Sequence, residues 1–420
     1  MLTNYAQNYA NQLLSDLGIK KFISQQCDHP ALAYRRSGLL QISDQMLPVP
    51  LASHADGALL ALKAISEDAS KLPKYGSQLL GERARIRGLR SKNRKTAGGK
   101  GRLINTNDGC MALNLVRESD WDLIPAWLED DVSNWTELQK ITKKLSTDYL
   151  LTRAIDMGLA VGAVGIPNRP KSWFFFKEYS KGTLKKPLIL DLSSLWAGPL
   201  GSSLLGMTGA RIIKIESPNR PDGMRYGNSQ FYNLLNENKD CVSLDFHNQD
   251  GLEKLKKLMH SADVIIEASR PRAFKQLGIS AKEFVKKKPG KVWLRLTAYS
   301  RDQNRIGYGD DIGVSAGLSG IMSNVYGYPS FVGDAIADPI NGLHLALILQ
   351  ASLYKGMGGI IDLNMCEVLR YAMGDFDCVN GGLSEEWSSI SDDDDSPLYE
   401  MREASGQAKG QGADNSVWLC

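Results

Sequence analysis

The sequence has few cysteines, no long hydrophobic run and almost no net charge, and each absence excludes a class of protein. The six cysteines are scattered without a Cys-x-x-Cys pair, so their spacing indicates neither a zinc site nor a disulfide framework. No apolar run reaches membrane-spanning length, and the N-terminus lacks the basic and apolar regions of a signal peptide. A net charge of +3 is too small to favour nucleic-acid binding. These absences predict a cytoplasmic protein with reduced thiols, no metal, and no membrane or nucleic-acid partner.

The remaining composition is that of a globular protein with more than one core. The chain has 420 residues, of which 43% are hydrophobic and 23% charged, and this length favours two domains. The segment with Pro167, Pro170 and Pro187 divides it, which predicts a smaller α+β region at 1–166, a linker at 167–187 and a second domain at 188–383. Residues 384–420 are rich in Ser, Gly and Asp, so we expect a poorly ordered tail there.

Strands and helices alternate in the second domain. Leu188–Leu192 is an apolar run typical of a buried strand, Gly201–Met207 follows as a helix, and Arg211–Ile215 alternates as the next strand. Further strands are predicted at Val264–Glu267, Val292–Thr297 and Ile360–Leu363, and helices at Gly251–His260, Ala281–Lys288 and Gly342–Tyr354. This order predicts an α/β fold: a doubly wound, mostly parallel nucleotide-binding sheet of Rossmann-like type, beside the smaller α+β domain.

The first half predicts a hairpin and a basic loop. Arg102–Asn105 and Met111–Val116 read as two strands joined by the turn Asn107-Asp108-Gly109. Helices are predicted at Trp135–Leu145 and Asp148–Met157. Residues 83–102 are strongly basic and contain several glycines, which favours an exposed, solvated loop.

Several collinear motifs carry a family resemblance. The stretches LDLSSLWAGPLGSSLLGMTGARIIKIE, NENKDCVSLDF, ADVIIEAS, YGDDIGVSAGLSGIM and IADPINGLHLALILQASL occur in this order. Together they resemble the class III CoA-transferases, the group that includes formyl-CoA and carnitine CoA-transferases and methylacyl-CoA racemases. The resemblance runs from about Pro187 to Met373. GRLINTNDGCMALNLVRESDWDLIPAWL is similar to the small domain of the family, which usually follows the nucleotide-binding part. We therefore expect a rearranged relative, either a circular permutation or half of a longer ancestor.

The resemblance implies an enzyme that moves CoA from an acyl-CoA thioester to a free carboxylic acid. Its partners are then these two small-molecule substrates, with coenzyme A thioester as substrate and no cofactor covalently bound at rest. Asp338 occupies the position of the family's nucleophile, which forms an acyl anhydride and then an aspartyl-CoA thioester. The residues alone offer another interpretation, because Asp338 precedes Pro339 and could simply cap a helix. A nucleophile must be ionised, so we expect a normal or low pKa for Asp338.

The resemblance also implies where CoA binds and how the chain assembles. The residues that the resemblance places beside the nucleotide are Ser194, Leu195, Trp196, Ala197, Asn238 and Lys239. Lys239 also has a simpler interpretation as an unpaired surface lysine.

Family members form interlocked homodimers, which predicts the same assembly here.

Two departures from the family pattern keep other functions open. Asp310 stands where the racemase branch has a proton-transferring histidine, so an acyl-CoA racemase or isomerase is one alternative. Glu267-Ala268-Ser269 stands where members often have Glu-Asn-Phe or Glu-Asn-Tyr, so a non-catalytic CoA-binding relative is another. His344 lies on the same predicted helix as Asp338, and a lone histidine in an apolar helix favours a packed side chain over a functional one.

Overall fold

A computed structural model describes residues 4–270, 272–375 and 381–419. None of the helices in these ranges is both long and apolar enough to cross a membrane. Short 3-10 helices lie at Ser77–Leu79, Glu118–Leu123, Gly223–Tyr226 and Arg301–Gln303. The α-helices are α1 Tyr5–Asp16, α2 Pro30–Arg36, α3 Leu39–Ser43, α4 Leu51–Ile65, α5 Glu82–Arg87, α6 Ile124–Leu128, α7 Trp135–Thr142, α8 Thr147–Asp156, α9 Ala197–Met207, α10 Ser229–Asn236, α11 Gln249–Ser261, α12 Ala273–Gln276, α13 Ala281–Lys286, α14 Gly309–Ser315, α15 Leu318–Tyr326, α16 Ala337–Lys355, α17 Met365–Ala372, α18 Gly381–Asp392 and α19 Asn415–Trp418.

The strands form two sheets within the described residues. The strands are β1 Gly101–Asn105, β2 Cys110–Asn114, β3 Ala160–Ala163, β4 Phe175–Lys181, β5 Leu188–Leu192, β6 Arg211–Glu216, β7 Asp240–Ser243, β8 Val264–Glu267, β9 Val292–Thr297 and β10 Met357–Asn364. The first three make an antiparallel sheet, and the other seven have the order β4-β10-β9-β8-β5-β6-β7.

The larger sheet is parallel except at one edge. β5 pairs in parallel with β6 on one side and with β8 on the other, and the pairs β6–β7, β8–β9 and β9–β10 are also parallel. The chain therefore builds the sheet outwards from β5 in both directions. Successive side chains of β5 enter different cores: Ile189 packs with α9 and α16, and Leu190 packs with α11 and α13. Helices cover both faces, which confirms the predicted α/β fold with a mostly parallel sheet.

The predicted linker contains a strand. β4 lies inside 167–187 and pairs antiparallel with β10, from Phe175 opposite Asp362 to Lys181 opposite Met357. The prediction of a plain linker is wrong because the prolines and lysines that mark it flank an alternating segment. Lys177 and Lys181 are exposed on this edge strand, and their charges disfavour pairing of β4 with a strand of another sheet.

The region predicted as one small domain at 1–166 divides into two parts. The strands β1–β3 with α6–α8 enclose their own apolar core, centred on Trp127 and Leu150. The helices α1–α5 instead share the core of the larger sheet, and α4 packs against α16. Gly57 on α4 explains the close packing of α1 on α4, because a Cβ at this position would meet the carbonyl oxygen of Ala6. The domain boundary predicted near residue 166 therefore does not separate the cores.

The predicted disordered tail is ordered in the described residues 384–419. Tyr399 is 7% exposed, and Arg402 pairs with Glu82 at 2.5 Å. Further on, the side chain of Asn415 accepts from the Ser243 N–H at 2.9 Å and donates to its carbonyl at 3.1 Å. These two bonds occupy the backbone N–H and carbonyl of Ser243 on the edge strand β7. Polar side chains of the tail therefore bind the edge of the sheet.

Candidate active site

The candidate site lies where the order of the parallel strands reverses. β5 is followed by α9, whereas β8 continues the sheet on the other side of β5. The connections from the carboxyl ends of such neighbouring strands run to opposite faces and leave a crevice in which α/β proteins bind ligands. The segment after β5 approaches this crevice with Leu195 in the left-handed region at φ 67°. Its N–H donates to Asp222 Oδ1 at 3.1 Å, which holds the turn.

Asp338 meets the N-terminus of α9 at this crevice. It lies in the first turn of α16, is half-buried, and accepts the Ala197 N–H at Oδ1 over 3.3 Å. The two helices approach closely through facing glycines. A Cβ on Gly201 would lie 2.5 Å from Leu345 Cδ2, and one on Gly342 would lie 2.8 Å from Leu200 Cδ2. Small residues on both helices therefore bring the carboxylate within reach of a free helix N–H.

Asp338 does not cap its own helix. The N-cap residue is Ile336, no side chain there makes a capping bond, and Asp338 is the second residue of the helix. The capping interpretation is therefore wrong. Gly309 lies against the carboxylate, since a Cβ there would collide with Asp338 Oδ2 and with the carbonyl of Ala335. The lack of a side chain at Gly309 makes room for the acid group.

The surroundings of Asp338 raise its pKa. Burial raises the pKa of this carboxyl to about 6, although the positive charge of Arg83 and the Ala197 N–H both act to lower it. The expectation of a normal or low pKa is therefore wrong. That expectation rested on the helix N-terminus alone, whereas removal of the carboxyl from water has the larger effect on its pKa.

Two further acids and one arginine complete the site. Arg83 donates to Asp334 through Nε at 2.7 Å and through Nη2 at 2.5 Å, and its guanidinium lies 4.9 Å from the ring centre of Trp196. Asp310 Oδ1 accepts the Ala335 N–H at 2.9 Å. Burial and the charge of Asp334 raise the pKa of Asp310 to about 7. Arg83 belongs to the basic segment predicted as an exposed loop, and nothing in the sequence signalled its burial.

The residues predicted beside the nucleotide are only partly brought together. Ser194 is exposed, Leu195 is half-buried, and Trp196 and Ala197 are buried at the start of α9. Trp196 Nε1 is buried with no hydrogen-bond partner among the described residues, which leaves a donor beside the crevice unsatisfied. Asn238 is exposed at the turn before β7.

Lys239 is neither a surface lysine nor free to meet a ligand. It is 2% exposed, and its Nζ contacts Asp191 Oδ2 at 3.0 Å, the Pro199 carbonyl at 2.9 Å and Ser202 Oγ at 2.8 Å. Burial would raise the pKa of Asp191, but the charges of Lys239 and Lys214 hold it at about 2. Lys239 thus links β5 to α9 through buried contacts. The predictions of a lysine beside the nucleotide and of an unpaired surface lysine both need correction.

His344 and Glu267 are occupied elsewhere. His344 is fully buried, with Nε2 2.8 Å from Tyr9 Oη and Nδ1 2.8 Å from the Ile340 carbonyl. This agrees with the packed interpretation. Glu267 accepts a hydrogen bond from Trp293 Nε1 on the neighbouring strand at 2.6 Å. The first residue of the Glu267-Ala268-Ser269 triplet, which departs from the family pattern, therefore has a structural partner.

Sequence comparison identifies the segment that carries this site. Residues 184–384 match the model of CoA-transferase family III. We call residues 184–384 the family III segment. The family III segment contains the whole parallel part of the large sheet and Asp338, whereas Arg83 and the small β1–β3 unit lie outside it.

Known relatives of the family III segment are CoA-transferases by name. A Chloroflexus aurantiacus protein named succinyl-CoA–D-citramalate CoA-transferase is 25% identical over 197 residues, covering 43% of this chain and 48% of the relative. Human succinyl-CoA:glutarate CoA-transferase is 30% identical over 198 residues, with coverages of 43% and 45%. A crystal structure of a CaiB/BaiF family protein from Brucella suis is 23% identical with a TM-score of 0.39, covering 53% of this chain and 60% of that one. The chain thus spans about half the length of the curated relatives it matches.

Proposed function

We propose that this protein transfers CoA from an acyl-CoA thioester to a free carboxylic acid, with Asp338 as the nucleophile. The observation that carries the proposal is the position of Asp338. A half-buried carboxylate meets the free N–H of Ala197 at the strand-order reversal of a family III segment. The names of the relatives support the same class of reaction.

The reaction is a sequence of four acyl transfers. Asp338 attacks the thioester carbonyl of the donor, CoA leaves as thiolate, and a mixed anhydride forms. The thiolate then attacks the Asp338 carbonyl, which releases the donor acid and leaves an aspartyl-CoA thioester. The acceptor carboxylate attacks this thioester and forms a second anhydride with CoA thiolate as leaving group. Attack of the thiolate on the acceptor carbonyl gives the new acyl-CoA and restores the Asp338 carboxylate.

The surroundings of Asp338 suit this chemistry. A carboxyl with a pKa of about 6 is mostly ionised at neutral pH, and it is a better nucleophile than a fully solvated carboxylate because less water must be removed from it. The nearby N–H of Ala197 at the start of α9 can stabilise negative charge that develops on the attacked carbonyl.

Isotope exchange tests the transfer directly. Incubating the full chain with an acyl-CoA and a labelled free acid from a donor-by-acceptor panel should move label into the acyl-CoA fraction. Hydroxylamine should stop the exchange and leave a hydroxamate on the Asp338 peptide. Saturable CoA binding without exchange across the panel would contradict the proposal and favour a non-catalytic relative. Running the reaction in D₂O separates the racemase alternative, because that activity puts deuterium beside the thioester without an acceptor acid.

We also propose a homodimer, on the basis of the family resemblance. Sedimentation at micromolar concentration should give a species of twice the 46.2 kDa chain mass. A monomer at that concentration would exclude the interlocked assembly.

A further inference from the structure

The N-terminal part of the chain contributes a positively charged side chain, that of Arg83, to the candidate site. Arg83 lies on α5, and the matched segment begins only at residue 184. Its side chain is 16% exposed although it belongs to the most basic stretch of the sequence. Its guanidinium stacks on Trp196, the residue immediately before the N–H that Asp338 accepts.

The contacts of Arg83 fix the orientation of its guanidinium. The fork to Asp334 uses Nε and Nη2, so both ends of one edge are held. The ring of Trp196 supports the guanidinium at 4.9 Å. A lysine could place a charge here but could not reproduce the fork or the stacking.

We propose that Arg83 is a positioning residue for the proposed transfer: its fixed guanidinium holds Asp338 as a carboxylate in the crevice. The kinetic consequence rests on the proposed function, whereas the effect on the ionisation of Asp338 does not. The family III segment then depends on α5 for the charge state of its own nucleophile.

The charges around Asp338 show why a cation is needed. Asp334 approaches from the turn before α16, Asp310 from α14, and Arg83 from α5, while α9 contributes the Ala197 N–H. The negative charge of Asp334 acts to raise the pKa of Asp338, and without Arg83 no cation among the described residues would oppose it there. Burial raises the pKa of Asp338, and Arg83 is the strongest influence in the opposite direction.

The test compares pH profiles of five proteins, which are wild type, Asp334→Asn and three variants of the arginines on α5. Arg83→Gln alone would leave Asp334 buried and unpaired, so the informative variant is Arg83→Gln/Asp334→Asn, which removes the pair together. Arg83→Lys keeps the charge without the fork, and Arg87→Gln removes an exposed arginine from the same helix as a matched control.

Because Asp334→Asn by itself removes a charge that raises the pKa of Asp338, the double variant is compared with the Asp334→Asn protein. Relative to that protein, the acid limb of the rate of CoA transfer should move up by about one pH unit in the double variant. That corresponds to a tenfold loss of rate on the limb.

The expected results for the other two proteins are distinct. Arg83→Lys should keep the limb close to the wild-type position despite a lower rate, and Arg87→Gln should match wild type in both. A double variant that turns over more slowly than the Asp334→Asn protein but has the same acid limb would reduce Arg83 to a structural role and overturn the proposal.

A second measurement needs no activity. The difference in melting temperature between Asp338 and Asp338→Asn proteins, followed from pH 4 to 9, changes around the pKa of Asp338. This change should occur at higher pH in the Arg83→Gln/Asp334→Asn background than in the Asp334→Asn background. If no protein transfers CoA but the shift is present, the proposed function fails and the role of Arg83 stands. If the shift is absent, the role of Arg83 is wrong whatever the activity.

Discussion

Asp338→Asn is expected to eliminate CoA transfer, by at least about a thousandfold, while making the folded protein more stable at neutral and alkaline pH. The rate falls because an amide oxygen cannot attack the thioester to form an anhydride. The stability rises because burial of Asp338 disfavours its charged form. The pKa of this carboxyl is about 6 in the folded protein and near the ordinary aspartate value when unfolded. The folded state therefore binds the proton more tightly, so stability is lost as pH rises from about 4 to above 6.

The asparagine variant escapes this loss. Its gain should be absent at pH 4 and reach on the order of 1–3 kcal/mol at pH 8, measured by denaturant unfolding at both values. Asp302→Asn, at an exposed aspartate, is the matched control and should show no pH-dependent gain. Full transfer activity in the Asp338→Asn protein would place the nucleophile elsewhere.

Lys239→Met is expected to lower the free energy of unfolding by about 3–5 kcal/mol. The substitution leaves the fully buried carboxylate of Asp191 without its ammonium partner and removes the bonds from Nζ to the Pro199 carbonyl and Ser202 Oγ. Urea unfolding of the variant and of wild type measures the loss. The helix α9 should also loosen, because Lys239 ties it to β5, so transfer should fall with stability.

Two further variants separate this effect from CoA binding. Lys239→Met/Asp191→Asn removes both charges and should recover part of the stability, since no unpaired ion remains. Lys257→Met replaces an exposed lysine on α11 and should change little. If Lys239→Met unfolds like wild type but raises the KM for acyl-CoA, Lys239 contacts the nucleotide and the ion-pair interpretation is wrong.

The strands of the large sheet could be predicted because they are continuous apolar runs. Leu188–Leu192, Val264–Glu267 and Val292–Thr297 have the predicted bounds, since strands buried on both faces leave few polar residues to blur their ends. β4 was missed because an edge strand mixes exposed lysines with aromatics and resembles a polar connection. The ordered tail was missed because composition does not show that Asn415 bonds the backbone of β7.

Asp338 could be found from the sequence, but its environment could not. The motif around it gave the position, and the structure placed it against Ala197 at the reversal of strand order. Its raised pKa follows from burial, which outweighs the opposing charge of Arg83, and the groups around it lie on separate elements. Only packing of those elements determines how much water reaches the carboxyl.

The sequence by itself determined the alternation of strands and helices, the family III segment and the candidate nucleophile, because these depend on local periodicity and on motifs within one segment. The tertiary structure decided the roles of the two basic residues. Lys239 lies in a polar turn yet pairs with Asp191 beneath α9, and Arg83 lies in a basic stretch yet reaches the candidate site. Local sequence gives the charge of a lysine or arginine, whereas its partner is set by which distant element folds against it, and a buried charge is tolerated only where such a partner is present.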